Sequence, residues 1–209
     1  MHNQALSNKD IFIKQLSKEE ILSVYIADSI RHFPENERKP VSSIERMTDE
    51  GIYIGYGLFF HCRPDKLISY AFFTALPEEK ISLLDYFAVM EDYRSLGIGS
   101  LFLQQMKLSA AGYDGFLIES EDPGYAKDEQ ELTIRNKRIS FYTKNGAVPT
   151  GLTAKVFGVP YRLLYFPLPS KETPSTASLH ACFGSIYRRM VSPQNYETQV
   201  HIFPHNLLD

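Results

Sequence analysis

The chain has 209 residues, 44% of them hydrophobic, and 22 Lys and Arg against 25 Asp and Glu for a net charge of -3. That length supports one full hydrophobic core with a small appendage. No basic run exceeds a pair such as Arg188-Arg189, which excludes a general nucleic-acid binder and leaves no nucleic-acid partner to expect. The start, MHNQALSNKD, is polar and lacks an apolar signal core, and the longest uncharged apolar stretch, Ile52 to Cys62, falls short of the ~20 residues that span a bilayer. A cytoplasmic protein with no membrane partner is therefore expected. Cys62 and Cys182 are isolated, so neither a metal site nor a disulfide framework is expected, and both read as packing residues.

In chain order, Ile11 to Leu16 alternates as a short strand. Ser17 followed by Glu20 is a capping-box start for a helix through about His32, with Ile21, Leu22, Tyr25, Ile26 and Ile30 as its buried face. Phe33-Pro34 ends it, and a charged loop to Pro40 leads into a shorter helix near Ser42 to Glu50. Glu45, Asp49 and Glu50 there form either an acidic rim suited to a cationic amine or an ordinary solvated face. Strands are expected at Ile52 to Phe60 and Leu67 to Leu76, separated by the breaker-rich His61 to Lys66. Weak alternation in the first suggests a central antiparallel strand covered on both faces.

Leu83 to Val89 is a further strand, on which Asp85, Phe87 and Val89 share a face. Met90 to Arg94 then leads into Ser95-Leu96-Gly97-Ile98-Gly99-Ser100 and a helix whose stripe is Ile98, Leu101, Phe102, Gln105, Met106 and Ser109, within a stretch that runs to Ala110. Glycines at a helix start let backbone approach a ligand, and the unpaired N–H groups of the first turn attract an anion. Such a turn can also be a plain strand-to-helix corner. A dinucleotide fingerprint fits less well, because Phe102 stands where the third glycine belongs, although Glu119 lies downstream at a suitable distance.

Gly115 to Glu121 reads as a strand ended by Asp122-Pro123, then a polar loop from Gly124 to Gln130, then a helix from Glu131 to Asn145 with Gly146 at its C-terminus. Val148 to Ala154 and Tyr161 to Pro167 form a hairpin around Gly158. Pro167 to Pro174 is a linker, and Leu179, Phe183, Ile186, Tyr187 and Met190 make a helical stripe beyond it. Tyr196 to Phe203 is expected to add a strand. His201 and His205 are four apart, but Pro204 between them argues against a metal-binding helix. The organisation is thus a domain over 1–168 and a segment over 169–209 docked on the body or on a second subunit, the latter making a homodimer.

The block YFAVMEDYRSLGIGSLFL resembles the acyl-CoA-binding motif of the GNAT N-acetyltransferase superfamily, with Arg94, Gly97 and Gly99 at the motif positions. Asn136 to Gly146 is similar to the family's later helix, with Tyr142 six residues after Asn136 and Gly146 closing the helix; Ala147 departs from the usual Phe. The resemblance covers roughly residues 10 to 168. It implies an α/β fold in the order βααβββαβαββ, a mixed, mostly antiparallel sheet splayed between its fourth and fifth strands and flanked by helices. By resemblance the amides of residues 94 to 100 hold the pyrophosphate of acetyl-CoA, the acyl donor, and Asn136 reaches its pantetheine amides. Phe87 and Val89 line the same arm, the Val89 N–H polarises the thioester carbonyl, and Tyr142 protonates the leaving thiolate.

Acetyl transfer also needs the amine deprotonated, since a free alkyl amine has a pKa near ~10. Some polyamine and small-amine members of the family carry an acidic residue at the position of Asp85; Glu119 and Glu121, on one face of the next strand, are the alternatives. Asp85 stands roughly 13 Å along the strand from Val89 at ~3.3 Å per residue, so it would act through water or bind a second cationic group. The expected activity is transfer of acetyl from acetyl-CoA to a primary amine of a small molecule by direct attack. A protein-lysine or N-terminal acetyltransferase and a non-catalytic acyl-CoA sensor are the alternatives.

Overall fold

The computed structural model of the chain describes residues 9–109, 112–169 and 171–204. Its elements are β1 (Ile11–Gln15), α1 (Lys18–His32), α2 (Val41–Asp49), β2 (Tyr53–Phe60), β3 (Arg63–Thr74), β4 (Ile81–Val89), α3 (Ile98–Ser109) and β5 (Gly115–Glu121). There follow α4 (Glu129–Lys144), β6 (Val148–Val156), β7 (Val159–Pro167), α5 (Thr176–Met190), α6 (Pro193–Gln199) and β8 (Val200–Pro204). The strands form one sheet in the order β1-β2-β3-β4-β5-β7-β6-β8. The β4–β5 ladder is parallel and spans only Ile81↔Gly115 to Leu84↔Ile118, whereas β5 continues against β7 as far as Glu121. Two compact units share β4, with Ile81–Leu84 in the second and Asp85–Val89 in the first.

The first unit comprises residues up to 75 together with 85–111. The Ser17 capping box forms as the sequence predicts: Ser17 Oγ accepts from the Glu20 N–H and the Glu20 carboxylate from the Ser17 N–H. The buried side of α1 is narrower than expected. Ile21, Tyr25 and Ser29 turn inward, while Ile26 and Ile30 stay more than half exposed. β2 sits between β1 and β3, which explains its weak alternation. The expected turn over His61 to Lys66 is shorter. The chain reverses at His61-Cys62, and β3 already starts at Arg63, opposite Phe60. Pro64 is tolerated there because residues 63–66 project as the exposed end of the hairpin, where a missing N–H costs little. Cys62 is exposed and is not the packing residue its chemistry suggested. On α3, Ile98, Phe102 and Met106 are buried as the stripe predicts, joined by Leu103. Ala110 and the side chain of Ser109 lie outside the described residues, as do residues 1–8.

The second unit comprises residues 76–84 and those from 112 onward. Phe157 and Gly158, both at positive φ, make the two-residue corner between β6 and β7 whose twist suits a hairpin. Gly115 is needed for close packing, because a Cβ there would lie 2.3 Å from the Tyr165 hydroxyl. The C-terminal stripe is realised in α5, where Leu179, Cys182, Phe183, Ile186, Tyr187 and Met190 are all buried. Thr176 Oγ1 donates to Thr150 O (3.1 Å) and Cys182 Sγ to Ile81 O (3.5 Å), which fixes the helix against its own chain. Burial raises the Cys182 thiol to about 12, so it stays a neutral packing group. The expected strand from Tyr196 is shorter: Ser192 caps a helix that opens with Pro193 and runs to Gln199, and only Val200–Pro204 pairs with β6. His201 is exposed on β8, and His205 lies outside the described residues.

Candidate functional site

In the first unit the link from β4 to α3 is a backbone device. A single 3-10 turn, Glu91–Tyr93, is followed by Ser95 at φ 62° and Gly97 at φ 77°. Left-handed geometry is ordinary for glycine and costly for serine, so the turn holds its shape at some expense. The Leu101 N–H donates to Gly97 O (3.1 Å), so the N–H groups of Ile98, Gly99 and Ser100 precede the first bonded turn of α3. A Cβ at Gly97 would meet nothing within 4 Å, and residues 94–97 are exposed, leaving the helix start open to a ligand. Arg94 Nε donates to Val89 O (3.2 Å), tying the turn to the end of β4. Phe87 packs against Phe102 of α3 with ring centroids 5.7 Å apart and the rings tilted by 54°. These contacts give an anion-binding geometry built from backbone amides at a helix start, with positive helix-dipole potential behind it.

Asp85, on the same strand, lies in a dense polar cluster. Its carboxylate is ion-paired with Lys39 and accepts a hydrogen bond from Tyr53 Oη (2.7 Å). The Asp85 side chain is 3% exposed and that of Lys39 23%. The Lys39 ammonium also lies 5.2 Å from the Tyr86 ring centroid, within cation–π range. The backbone of the same loop is bonded separately: Tyr25 Oη donates to Lys39 O (2.6 Å), the Lys39 N–H to Tyr86 Oη (3.0 Å), and Tyr86 Oη to Glu37 O (2.9 Å). Burial, with the Asp85 charge second, pushes the Tyr53 and Tyr86 phenols well up, so both are donors at any physiological pH. Sequence reasoning found Asp85 but not Lys39, Tyr53 or Tyr86, since nothing local in the chain links positions so far apart. His32, at the end of α1, likewise carries no local signal of its partner. Its Nδ1 lies 3.0 Å from the Tyr70 hydroxyl, and burial, with Arg94 second, holds its imidazole below the usual histidine range.

The carboxylates of α2 are engaged with cations. Lys18 meets Asp49 (2.6 Å) and Glu45 (3.6 Å), and Arg46 meets Glu50 (2.8 Å). They behave as the solvated face of a short helix rather than as an acidic rim.

In the second unit, Tyr142 lies on α4 and is 8% exposed, in edge-to-face contact with Phe141 at 5.2 Å. Among the described residues no group hydrogen-bonds its hydroxyl. Burial pushes the phenol up to about 12. A phenol that keeps its proton and has no hydrogen-bond partner among the described residues has its O–H free to donate. Asn136, six residues back, is exposed; its neighbour Arg135 turns inward, donating to Asp122 O (2.6 Å) and to Glu131 (2.7 Å). On β5, Glu121 is ion-paired with Arg138 (2.7 Å) and Arg135 (3.2 Å), and Glu119 accepts from the Tyr187 hydroxyl of α5.

No family model matches the sequence, and no curated protein matches it. Solved structures do. The chain is similar to the ribosomal-protein-S18-alanine N-acetyltransferase of Escherichia coli at TM-score 0.55 and 16% identity, covering 78% of this chain and 96% of that one. A protein of Bacteroides thetaiotaomicron assigned to the GNAT family matches at TM-score 0.60 and 15% identity, over 84% and 96% of the two chains. A dodecameric spermidine N-acetyltransferase of Vibrio cholerae matches at TM-score 0.53 and 7% identity, over 76% and 94%. With the parallel β4–β5 ladder and the turn at the head of α3, these likenesses establish that the chain has the fold of the GNAT acetyltransferases.

Proposed function

We propose that the chain is an acetyl-CoA-dependent N-acetyltransferase whose acceptor is a primary amine of a small molecule. The observation that carries this reading is the turn from Arg94 to Ser100, where two left-handed residues leave a helix start open with its first N–H groups ahead of the helical ladder. That turn takes the pyrophosphate of acetyl-CoA. Phe87, Val89 and the exposed Asn136 are assigned to the pantetheine arm, with the Val89 N–H as the donor to the thioester carbonyl. The amine nitrogen attacks the carbonyl carbon, a tetrahedral intermediate forms, and its collapse breaks the C–S bond. The Tyr142 hydroxyl gives its proton to the departing thiolate, and its raised pKa keeps it charged with that proton at neutral pH. Asp85, already compensated by Lys39 and Tyr53, is better suited to anchoring charge than to accepting a proton. Glu119 remains the carboxylate assigned to the amine's proton. The chemistry, a neutral amine against a thioester, asks nothing of a metal.

The test is direct. Calorimetry with acetyl-CoA should give saturable binding, and a thiol-release assay over alkylamines, diamines, amino acids and peptides should identify an acceptor. Binding without turnover on any amine would favour an acyl-CoA sensor; turnover on peptides alone would favour a protein acetyltransferase.

A further inference from the structure

We propose that Asp85, Tyr53 and Tyr86 form an ammonium-recognition site that Lys39 fills from within the chain, and that an acceptor bearing a second cationic group displaces Lys39 to bind there. The inference rests on the functional reading above and names the acceptor class: diamines and longer polyamines rather than monoamines.

The geometry of the cluster is that of a ligand site with an occupant. A carboxylate 3% exposed receives an ammonium, a phenol donates to its second oxygen, and an aromatic ring stands 5.2 Å from the cation. Carboxylate, hydroxyl and ring face are the groups that bind an alkylammonium tightly, and a primary alkylammonium of a diamine is chemically the same as the end of a lysine side chain. The occupant is also positioned to leave. The backbone at Lys39 is held by Tyr25 and Tyr86 through its own carbonyl and N–H, independently of the side chain. Rotation about the side-chain torsions therefore frees Asp85 without moving the loop. Lys39 keeps 23% of its side chain in contact with solvent, so a path outward exists, whereas Asp85 has none and must retain a cation. A tethered ammonium competes at a high effective concentration, which sets a threshold that weakly interacting cations do not pass. Exchange of one cation for another keeps the buried carboxylate compensated at every stage.

The experiment compares 1,4-diaminobutane with butylamine on the full chain, wild type and Lys39→Met, by calorimetry in the presence of coenzyme A. Lys39→Met removes the competitor and keeps an apolar stem of similar length. It should tighten diaminobutane binding by about tenfold or more and butylamine by clearly less, since a monoamine cannot meet Asp85 and present a second nitrogen at the same time. Adding Asp85→Asn to Lys39→Met should abolish the gain. A readout on the wild type covers the case in which the variant does not fold: the reactivity of Lys39 toward an isotopically labelled N-acetoxysuccinimide, followed by mass spectrometry, should rise on saturation with diaminobutane and not with butylamine. Unchanged diamine affinity in Lys39→Met, or unchanged Lys39 reactivity, overturns the proposal. Either result alongside normal acetyl-CoA binding leaves the acetyltransferase reading standing; failure of acetyl-CoA itself to bind overturns that reading instead.

Discussion

The Tyr187 hydroxyl on α5 lies 2.8 and 3.0 Å from the two carboxylate oxygens of Glu119 on β5, so α5 donates a hydrogen bond to a carboxylate of the sheet. The sequence marks Glu119 as a candidate base, and Tyr187 only as one member of an apolar stripe. If Glu119 takes the amine's proton, Tyr187→Phe should alter the pH at which kcat/KM half-rises, because a hydrogen bond to the charged carboxylate is lost, while acetyl-CoA affinity is unchanged. A pH–rate profile checks this. A profile identical to wild type would leave the bond a packing detail.

Removing α5 altogether is a harsher test of the same docking. Leu179, Phe183, Ile186, Tyr187 and Met190 are all buried, and at ~1.5–3 kcal/mol for each large apolar side chain their exposure would cost about as much as a whole domain's net stability. A chain ended after Pro169 should therefore be insoluble or unfolded by circular dichroism. A stable, monodisperse truncation would mean that the stripe contributes far less than its area implies.

Gly97→Asp with Gly99→Asp should abolish acetyl-CoA binding in calorimetry while the fold persists. Gly97 is at φ 77°, where any side chain is strained, but a Cβ there has open space, so the cost to folding is of the order of 1 kcal/mol. Two carboxylates facing a diphosphate at a helix start oppose both charge and backbone approach. Unchanged affinity in a folded double mutant would put the cofactor elsewhere.

The parts of this molecule that could be read in the chain are those written locally. Strand parity put Asp85, Phe87 and Val89 together, and the capping box at Ser17 and the glycine turn have signals within a few residues of one another. Breakers mislead on their own: Pro64 sits inside β3 because the N–H that proline lacks is not missed at an exposed end, and Pro193 starts a helix rather than interrupting a strand. What was not legible is pairing across the chain. Lys39 meets Asp85 from 46 residues away and Tyr187 meets Glu119 from 68, and long polar side chains carry no periodic signature of their partners. Ile26 and Ile30 show the reverse limit, since apolar spacing alone does not say how wide a face the neighbouring elements cover.

If Tyr142 protonates the leaving thiolate, Tyr142→Phe should reduce kcat by ~100-fold to 10,000-fold with little change in acetyl-CoA affinity, because the ring and its contact with Phe141 persist while the hydroxyl is lost. The phenol, raised to about 12, is protonated across the neutral range, so its ionisation should not produce an alkaline fall in rate below about that pH. The same shift has a stability consequence. A phenol whose folded pKa lies above its unfolded value near ~10 contributes stability that is complete below pH ~10 and is lost as pH rises through the folded value. Each such buried phenol adds a slope of about 1.4 kcal/mol per pH unit between the two values. Urea unfolding between pH 8 and pH 11 should show a decline beginning near pH ~10, shallower in Tyr142→Phe.

The two partners of the Lys39–Asp85 ion pair should be unequal when removed singly. Lys39→Met leaves a carboxylate 3% exposed with only the Tyr53 hydroxyl as partner, and an uncompensated buried charge costs about 3–5 kcal/mol. Asp85→Asn leaves the opposite residue in a better position. The Lys39 ammonium, 23% exposed, can turn outward into water, and the new amide oxygen can still accept from Tyr53, so the cost should be nearer ~1–2 kcal/mol. The loop should survive both, since Tyr25 and Tyr86 hold the backbone at Lys39 whatever its side chain does. In the double variant neither charge remains, and the combined loss should be smaller than that of Lys39→Met alone. Urea unfolding of the four proteins at pH 7 gives the coupling energy directly. Equal single losses that simply add in the double variant would mean that the ion pair contributes nothing specific, and that the tyrosines alone fix the loop against β4.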